Sequence, residues 1–274
     1  MKNQDKRNIA KNVILSGVIL VLFSICIFQM DIESKNIRSV VSNTGENQKL
    51  EWGIKRNDNH ERPDVGDKNK QILEANGGIC LGKELDKNIY LTFDSGYEAG
   101  YMENILDVLK QNNVKATFFI TSHYLNTASE LVGRMIEEGH IVGNHTVNHK
   151  SMPSISNEEI ETEIMKLHQA VFEKFNYEMR YIRPPKGEFN ERTLKKCQDL
   201  GYKTVMWSFA YCDWDEKKQP SQEKAQKMII DNLHSGEIML LHSNSKTNSE
   251  VLDAIIKEAR NQGYEFRTLD EFEI

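Results

Sequence analysis

The spacing of apolar positions changes along the chain and divides it into three stretches. From Val13 to Met30 the residues run almost continuously through Ile, Leu, Val and Phe, and about 18 such residues reach the length needed to span a bilayer. From Asp31 to about Leu73 the chain turns to Asn, Lys, Glu, Asp and Ser, too polar to bury enough surface to order itself. From Ile89 onward, short strand-like runs alternate with helix-like runs, the pattern of a parallel α/β sheet or barrel. Strands are predicted at Ile89–Phe93, Ala116–Ile120, Ile141–Gly143, Thr204–Met206, Ile238–Leu241 and Glu265–Phe266. Helical periodicity is clearest in Ile160, Ile164, Leu167, Val171 and Phe175. That helix is entered through Ser156-Asn157-Glu158-Glu159, a cap followed by early acidic residues. Two more helices carry Ile105, Leu106 and Leu109, and Val251, Ile255 and Ile256, the latter stopping near Gly263. Residues able to do chemistry collect just after the strands.

Lys2, Lys6, Arg7 and Lys11 against the single acid Asp5 precede the apolar run, the layout of a signal peptide or a membrane anchor. No small-x-small cleavage site appears in Ile25-Cys26-Ile27-Phe28-Gln29-Met30, so an uncleaved anchor is expected. Bulky Ile25 before Cys26 speaks against a lipoprotein. The basic flank then stays in the cytoplasm and the rest of the chain lies outside. The expected organisation is a cytoplasmic flank at 1–11, a transmembrane signal anchor at 12–30, a flexible extracytoplasmic linker at 31–75 and a catalytic domain at 76–274. A net charge of -6 without a dense Lys/Arg block excludes nucleic acid as the main partner. No repeat or heptad pattern appears, and a monomer is expected. Outside the apolar run stand Cys80, Cys197 and Cys212, an odd number without CxxC spacing, so no disulfide framework is indicated.

Asp94-Ser95-Gly96-Tyr97-Glu98 ends the first strand-like run. A carboxylate at a strand's C-terminal tip, beside a glycine, is where α/β enzymes place a base or a metal ligand. After Ile141-Val142-Gly143 come His145 and His149, four apart. On a helical turn that spacing puts both imidazoles on one side, as a divalent metal needs, although two ordinary histidines have the same spacing. In Arg183-Pro184-Pro185-Lys186-Gly187, an arginine on a proline-stiffened loop either clamps a carboxylate or sits solvated on a turn. Trp207-Ser208-Phe209-Ala210-Tyr211-Cys212-Asp213-Trp214 supplies aromatic faces for a sugar wall or for core packing. A buried strand ends at His242, a good position for a general acid.

Together these segments resemble the polysaccharide deacetylases, carbohydrate esterase family 4 or the NodB-homology domain, over roughly residues 87–272. Thr92-Phe93-Asp94-Ser95 resembles the family's TFDD and His145-Thr146-Val147-Asn148-His149 its H-[ST]-x-x-H. Arg183-Pro184-Pro185-Lys186-Gly187 resembles its RxPPxG-like loop, Asp213-Trp214 its Asp/Trp motif and Leu241-His242 its final Leu-His. The resemblance implies a distorted (β/α) barrel with fewer than eight regular units and metal-assisted amide hydrolysis. It makes Asp94 the base, His145 and His149 the ligands of Zn²⁺ or a similar divalent metal, and His242 the acid. Arg183 orients Asp94, and Asp213 tunes His242. Leu241 with Trp207 or Trp214 shapes the acetyl pocket, and Tyr97 and Pro185 join them in substrate binding.

Ser95 departs from the pattern, since most of the family has a second Asp there completing an Asp-His-His site, and its loss weakens metal binding. A similar loss followed by Gly-Tyr-Glu resembles one branch, the muramic-δ-lactam-forming de-N-acetylases of spore-cortex peptidoglycan. The expectation is an exported, membrane-anchored enzyme acting on N-acetylmuramic acid in peptidoglycan glycan strands. Deacetylation of N-acetylglucosamine, or glycan binding without catalysis at a decayed metal site, are the alternatives. His60, His123, His140, His168 and His234 are assigned surface or structural roles, with His168 half-buried beside its helix's apolar stripe.

Overall fold

The computed structural model describes residues 47–57 and 59–273. The basic flank, the apolar run and the linker up to residue 46 lie outside the described residues. The chain divides into two units, Met1–Gln48 and Lys49–Ile274, and the fold is that of the second. Among the described residues no helix is long and apolar enough to cross a membrane.

Residues 49–75, expected as linker, are built into the domain. Leu50–Glu51 forms strand β1, and helix α1, Asp67–Ala75, buries Leu73. Trp52 is buried, its indole Nε1–H donating to the Trp207 carbonyl at 2.9 Å and its backbone N–H to the Gly187 carbonyl at 2.8 Å. The few apolar residues of this stretch, Trp52, Val65 and Leu73, converge on one cluster with Phe189, Leu194 and Met206. An average over a polar segment hides such a cluster, which is why composition alone misreads it.

The chain then alternates strand and helix: β2 Asn88–Ser95, α2 Met102–Gln111, β3 Thr117–Ile120, α3 Ser122–Thr127, α4 Ser129–Glu137, β4 Ile141–Asn144 and α5 Asn157–Phe175. It continues with β5 Tyr181–Ile182, β6 Glu188–Phe189, α6 Glu191–Asp199, β7 Lys203–Thr204, α7 Gln222–Asp231, β8 Glu237–His242, α8 Lys246–Asn261 and β9 Glu265–Phe266. β1 and β6 form a small antiparallel pair. The main sheet is ordered β7-β5-β4-β3-β2-β8 and is parallel at every pairing. β9 lies along the start of β2; because Ile89 faces both Glu237 of β8 and Phe266 of β9, β9 takes the side that β3 takes further on. Single bridges from Ile79 to Val205, Leu81 to Glu237 and Phe209 to Met239 span the gap between the edge strands β7 and β8. The result is a curled, incomplete barrel, as expected.

The helices form for reasons visible in the sequence. α5 is closed at its start by a capping box between Ser156 and Glu159, buries Ile160, Ile164, Leu167 and Val171, and stops at Asn176 in the left-handed conformation. α2 and α8 bury Ile105, Leu106 and Leu109, and Val251, Leu252, Ile255 and Ile256. Alternation along the strands sorts the rest. Ile89, Leu91 and Phe93 of β2 and Met239 and Leu241 of β8 pack outward with the helices, while Tyr90 and Ile238 pack inside with Phe119, Tyr181 and Val205. Continuing that period of two places Thr92, Asp94, Leu240 and His242 on the inner side. The inner rows therefore lead from an apolar floor to a polar mouth.

Candidate active site

Asp94 and His242 stand opposite each other at the ends of β2 and β8 and open onto a cleft of about 920 Å³. Each is held from behind by a fully buried partner. Arg183 Nη1 donates to Asp94 Oδ1 at 2.8 Å, Nη2 to Thr92 Oγ1 at 2.9 Å and Nε to the Val205 carbonyl at 3.1 Å. Its guanidinium lies 4.3 Å from the centre of the Phe119 ring. Burial alone pushes the Asp94 carboxyl up, but Arg183, then His145 and His242, outweigh it and hold the carboxyl below its ordinary range. Asp94 is thus kept ionised, the form in which a carboxylate can accept a proton.

On the facing strand, Asp213 accepts from His242 Nδ1–H at 2.7 Å and from the His242 backbone N–H at 2.8 Å. Asn248 Nδ2 donates to the same carboxylate at 2.6 Å, and Tyr211 donates its hydroxyl proton to Asn248 Oδ1. Burial pulls the His242 imidazole down, but the Asp213 carboxylate prevails and raises it. His242 is therefore biased toward the protonated form, with Nε2–H left for the cleft.

The histidine pair is not on a helical turn. Residues 145–149 form a loop in which Thr146 and His149 adopt positive φ of 67° and 55°, and this loop, rather than the period of a helix, turns the rings together. Asn148 pins it to α5 by bonds to buried Glu163 at 2.7 and 2.6 Å, and the His149 N–H donates to Thr146 Oγ1 at 3.1 Å. The two rings meet at 4.8 Å between centroids. His145 Nδ1 faces the Arg183 carbonyl at 2.8 Å; a carbonyl only accepts, so the proton sits on Nδ1 and Nε2 carries the lone pair. That Nε2 is 3.6 Å from Asp94 Oδ2. Burial lowers the His145 pKa, and desolvation followed by the neighbouring imidazole pushes His149 down to about 4.

Two neutral imidazoles, one with its lone pair directed by a backbone carbonyl, form a donor set that suits a divalent ion. No third His, Cys, Asp or Glu completes a group among the described residues. Ser95 does not complete one either. It is fully buried on the opposite side of β2 from Asp94, and its Oγ accepts from Ser243 Oγ at 3.0 Å.

The cleft wall joins three loops. Tyr97 donates its hydroxyl proton to Glu216 Oε1 at 2.6 Å and accepts from Asn244 Nδ2 at 2.6 Å, and Asn244 Nδ2 also reaches the Trp214 carbonyl at 3.1 Å. Trp214 is 53% exposed, its ring 5.7 Å from that of His242. Trp207, Tyr97 and Trp214 all line the cleft.

Two of the expected substrate contacts are corrected. Leu241 is completely buried among the helices, because strand alternation turns it away from His242, and Leu240 lines the cleft in its place. Pro185 is buried behind the surface, and the turn presents Lys186 and Gly187 instead. His123, assigned a surface or structural role, lines the cleft; its position just after β3 is the same signal that found the other site residues. His140 and His234 are buried, and Cys80 and Cys197 are buried free thiols with Cys212 exposed.

The family pattern described as polysaccharide deacetylase matches residues 82–205. The chain is 39% identical over 226 residues to the peptidoglycan-N-acetylmuramic acid deacetylase PdaA of Bacillus subtilis, covering 82% of this chain and 86% of that protein. It is 35% identical to a peptidoglycan-N-acetylglucosamine deacetylase of Bacillus cereus, covering 68% of this chain and 88% of that one. The structure of Bacillus subtilis PdaA, a family 4 carbohydrate esterase, superimposes with a TM-score of 0.80 over 82% of this chain and 97% of that chain. With Asp94, His242 and the imidazole pair at one barrel mouth, the chain belongs to the polysaccharide deacetylase family, hydrolases that act on N-acetyl groups with the help of a divalent metal.

Proposed function

We propose that the protein is a peptidoglycan deacetylase that hydrolyses the acetamide of N-acetylmuramic acid residues and so supports muramic-δ-lactam formation in spore cortex. The observation that carries the chemistry is the facing pair, Asp94 held ionised by Arg183 and His242 held protonated by Asp213. Asp94 accepts a proton from the water that attacks the acetyl carbon. His242 then gives its Nε2 proton to the departing sugar amine, and acetate and the free amine leave. A divalent metal, Zn²⁺ in this reading, held by His145 and His149 supplies polarisation of the acetyl carbonyl and positive charge where the oxyanion develops. With two protein ligands and Ser95 turned away, such an ion is held less firmly than by a site with an added carboxylate.

The substrate reading is supported by the 39% identity to PdaA over most of both chains and by the aromatic wall of Tyr97, Trp207 and Trp214, which suits a sugar polymer. The basic flank and apolar run of residues 2–30 support a membrane-anchored protein with its catalytic domain outside the cytoplasm.

Mass spectrometry of defined glycan strands tests this. Acetate release from strands bearing muramic acid without stem peptide, abolished by a chelator and restored by Zn²⁺, is expected. Release from chitin oligomers with none from such strands would overturn the substrate assignment.

A further inference from the structure

A muramic acid residue differs from a glucosamine residue by one group, a 3-O-lactyl ether whose carboxylate is free only where no stem peptide is attached. We infer that Lys186 recognises that free carboxylate and is the residue by which the cleft selects peptide-free muramic acid. The inference rests on the muramic reading above.

Lys186 is the sole Lys or Arg among the residues that line the cleft, whose other cationic candidates are imidazoles. It is exposed, and its ammonium makes no ion pair or hydrogen bond with another described residue. The acid nearest in sequence, Glu188, is already engaged by Lys49 at 2.9 Å. Glu188 and His149 feel the Lys186 charge through space, but neither bonds to its ammonium, whose donors are left for a ligand.

Its placement is equally specific. The turn that carries it follows β5, between the β4 loop that bears His149 and the β7 loop that bears Trp207, and the Lys186 charge acts on the His149 imidazole. Lys186 also adopts φ 60° and ψ 7°, a left-handed conformation that disfavours any residue with a side chain. Glycine would satisfy the turn at no such cost. A strained residue in a cleft, with a free cation and no structural bond from its side chain, points to a ligand rather than to the fold. Charge-assisted bonding to a carboxylate needs only such a fixed cation.

Binding and turnover on three matched glycans test the inference: peptide-free muramic strands, the same strands methyl-esterified at the lactyl carboxylate, and their glucosamine counterparts. Calorimetry is expected to show wild-type protein binding the free carboxylate roughly tenfold more tightly than the ester. Lys186→Met is expected to bind both equally, Lys186→Arg to restore the difference, and glucosamine strands to respond to neither substitution. The melting temperatures of Lys186→Met and Lys186→Gly should not fall below wild type, which separates recognition from folding. A carboxylate preference that survives Lys186→Met, or its absence from wild type, would overturn the inference. A Lys186-dependent preference without acetate release would leave the inference standing and remove the deacetylase reading.

Discussion

At the scale of single residues, Asp94 and His242 differ from ordinary surface acids and histidines by what stands behind them. Asp213 is fully buried and gives both its oxygens to His242 and Asn248. Removing its charge while keeping its shape, as in Asp213→Asn, withdraws the contact that raises the His242 pKa. In the proposed function His242 must be protonated to act as the acid, so activity is expected to fall as pH rises through its pKa. The basic limb of the pH–rate profile of the Asn variant is expected to move to lower pH, with kcat reduced about 10²–10⁴-fold at neutral pH. An unmoved limb would separate Asp213 from the acid. That Asp94, Arg183, His145, His149, Asp213 and His242 gather at one barrel mouth was legible because each lies in a short motif at or just after a strand end. Leu241 was misplaced because the motif carries identity but not direction. The alternation that turns Leu240 inward was already present in Ile238–Leu241 and was the signal to use.

At the scale of elements, the long helices and strands were legible from period alone. The short ones, Tyr181–Ile182, Glu188–Phe189 and Leu50–Glu51, were not, because two residues cannot display a period. The turn between β5 and β6 shows what such short pieces do. Gly187 has φ +66°, and a Cβ there would lie 2.7 Å from the Trp207 ring and 3.1 Å from Trp52 Cβ. Gly187→Ala combines a left-handed backbone with overpacking and is expected to cost about 2–3 kcal/mol in denaturant melts. It should also displace Trp207 and weaken glycan binding. Wild-type stability in that variant would show that the turn is free to relax.

At the scale of the whole molecule, the barrel was legible from the alternation of strands and helices. Its closure by Ile79, Leu81 and Phe209 was not, because single bridges leave no mark on hydrophobic spacing. Neither was the folding of residues 49–75, whose apolar residues are sparse but convergent. Two buried histidines contribute to the domain's response to acid, alongside His145, His149 and buried Glu237. Burial lowers His140 and His234 from 6.5 to about 4 each, and the Ala116 N–H donates to His140 Nδ1 at 3.1 Å, which holds that nitrogen unprotonated. In the unfolded chain both take up protons near their ordinary value, so their stabilising effect is complete above about pH 6.5 and is lost as pH falls toward 4. Each contributes up to about 3 kcal/mol across that window. Urea midpoints measured between pH 7 and pH 4.5 are expected to fall steeply, and less so in His140→Gln. A flat profile would contradict the burial of both rings.

The clasp of Trp52 on Gly187 also gives the domain a mechanical order. Tension entering the chain at Lys49 meets first the two-residue pair β1–β6 and the Trp52 N–H bond to the Gly187 carbonyl, both fastened to the turn that carries Lys186. Stretch would therefore loosen one lip of the cleft before any strand of the main sheet parts, and pulling the domain from Lys49 should register this as a small first extension. Were the chain held by that end, strain would open the cleft lip while the main sheet stayed intact.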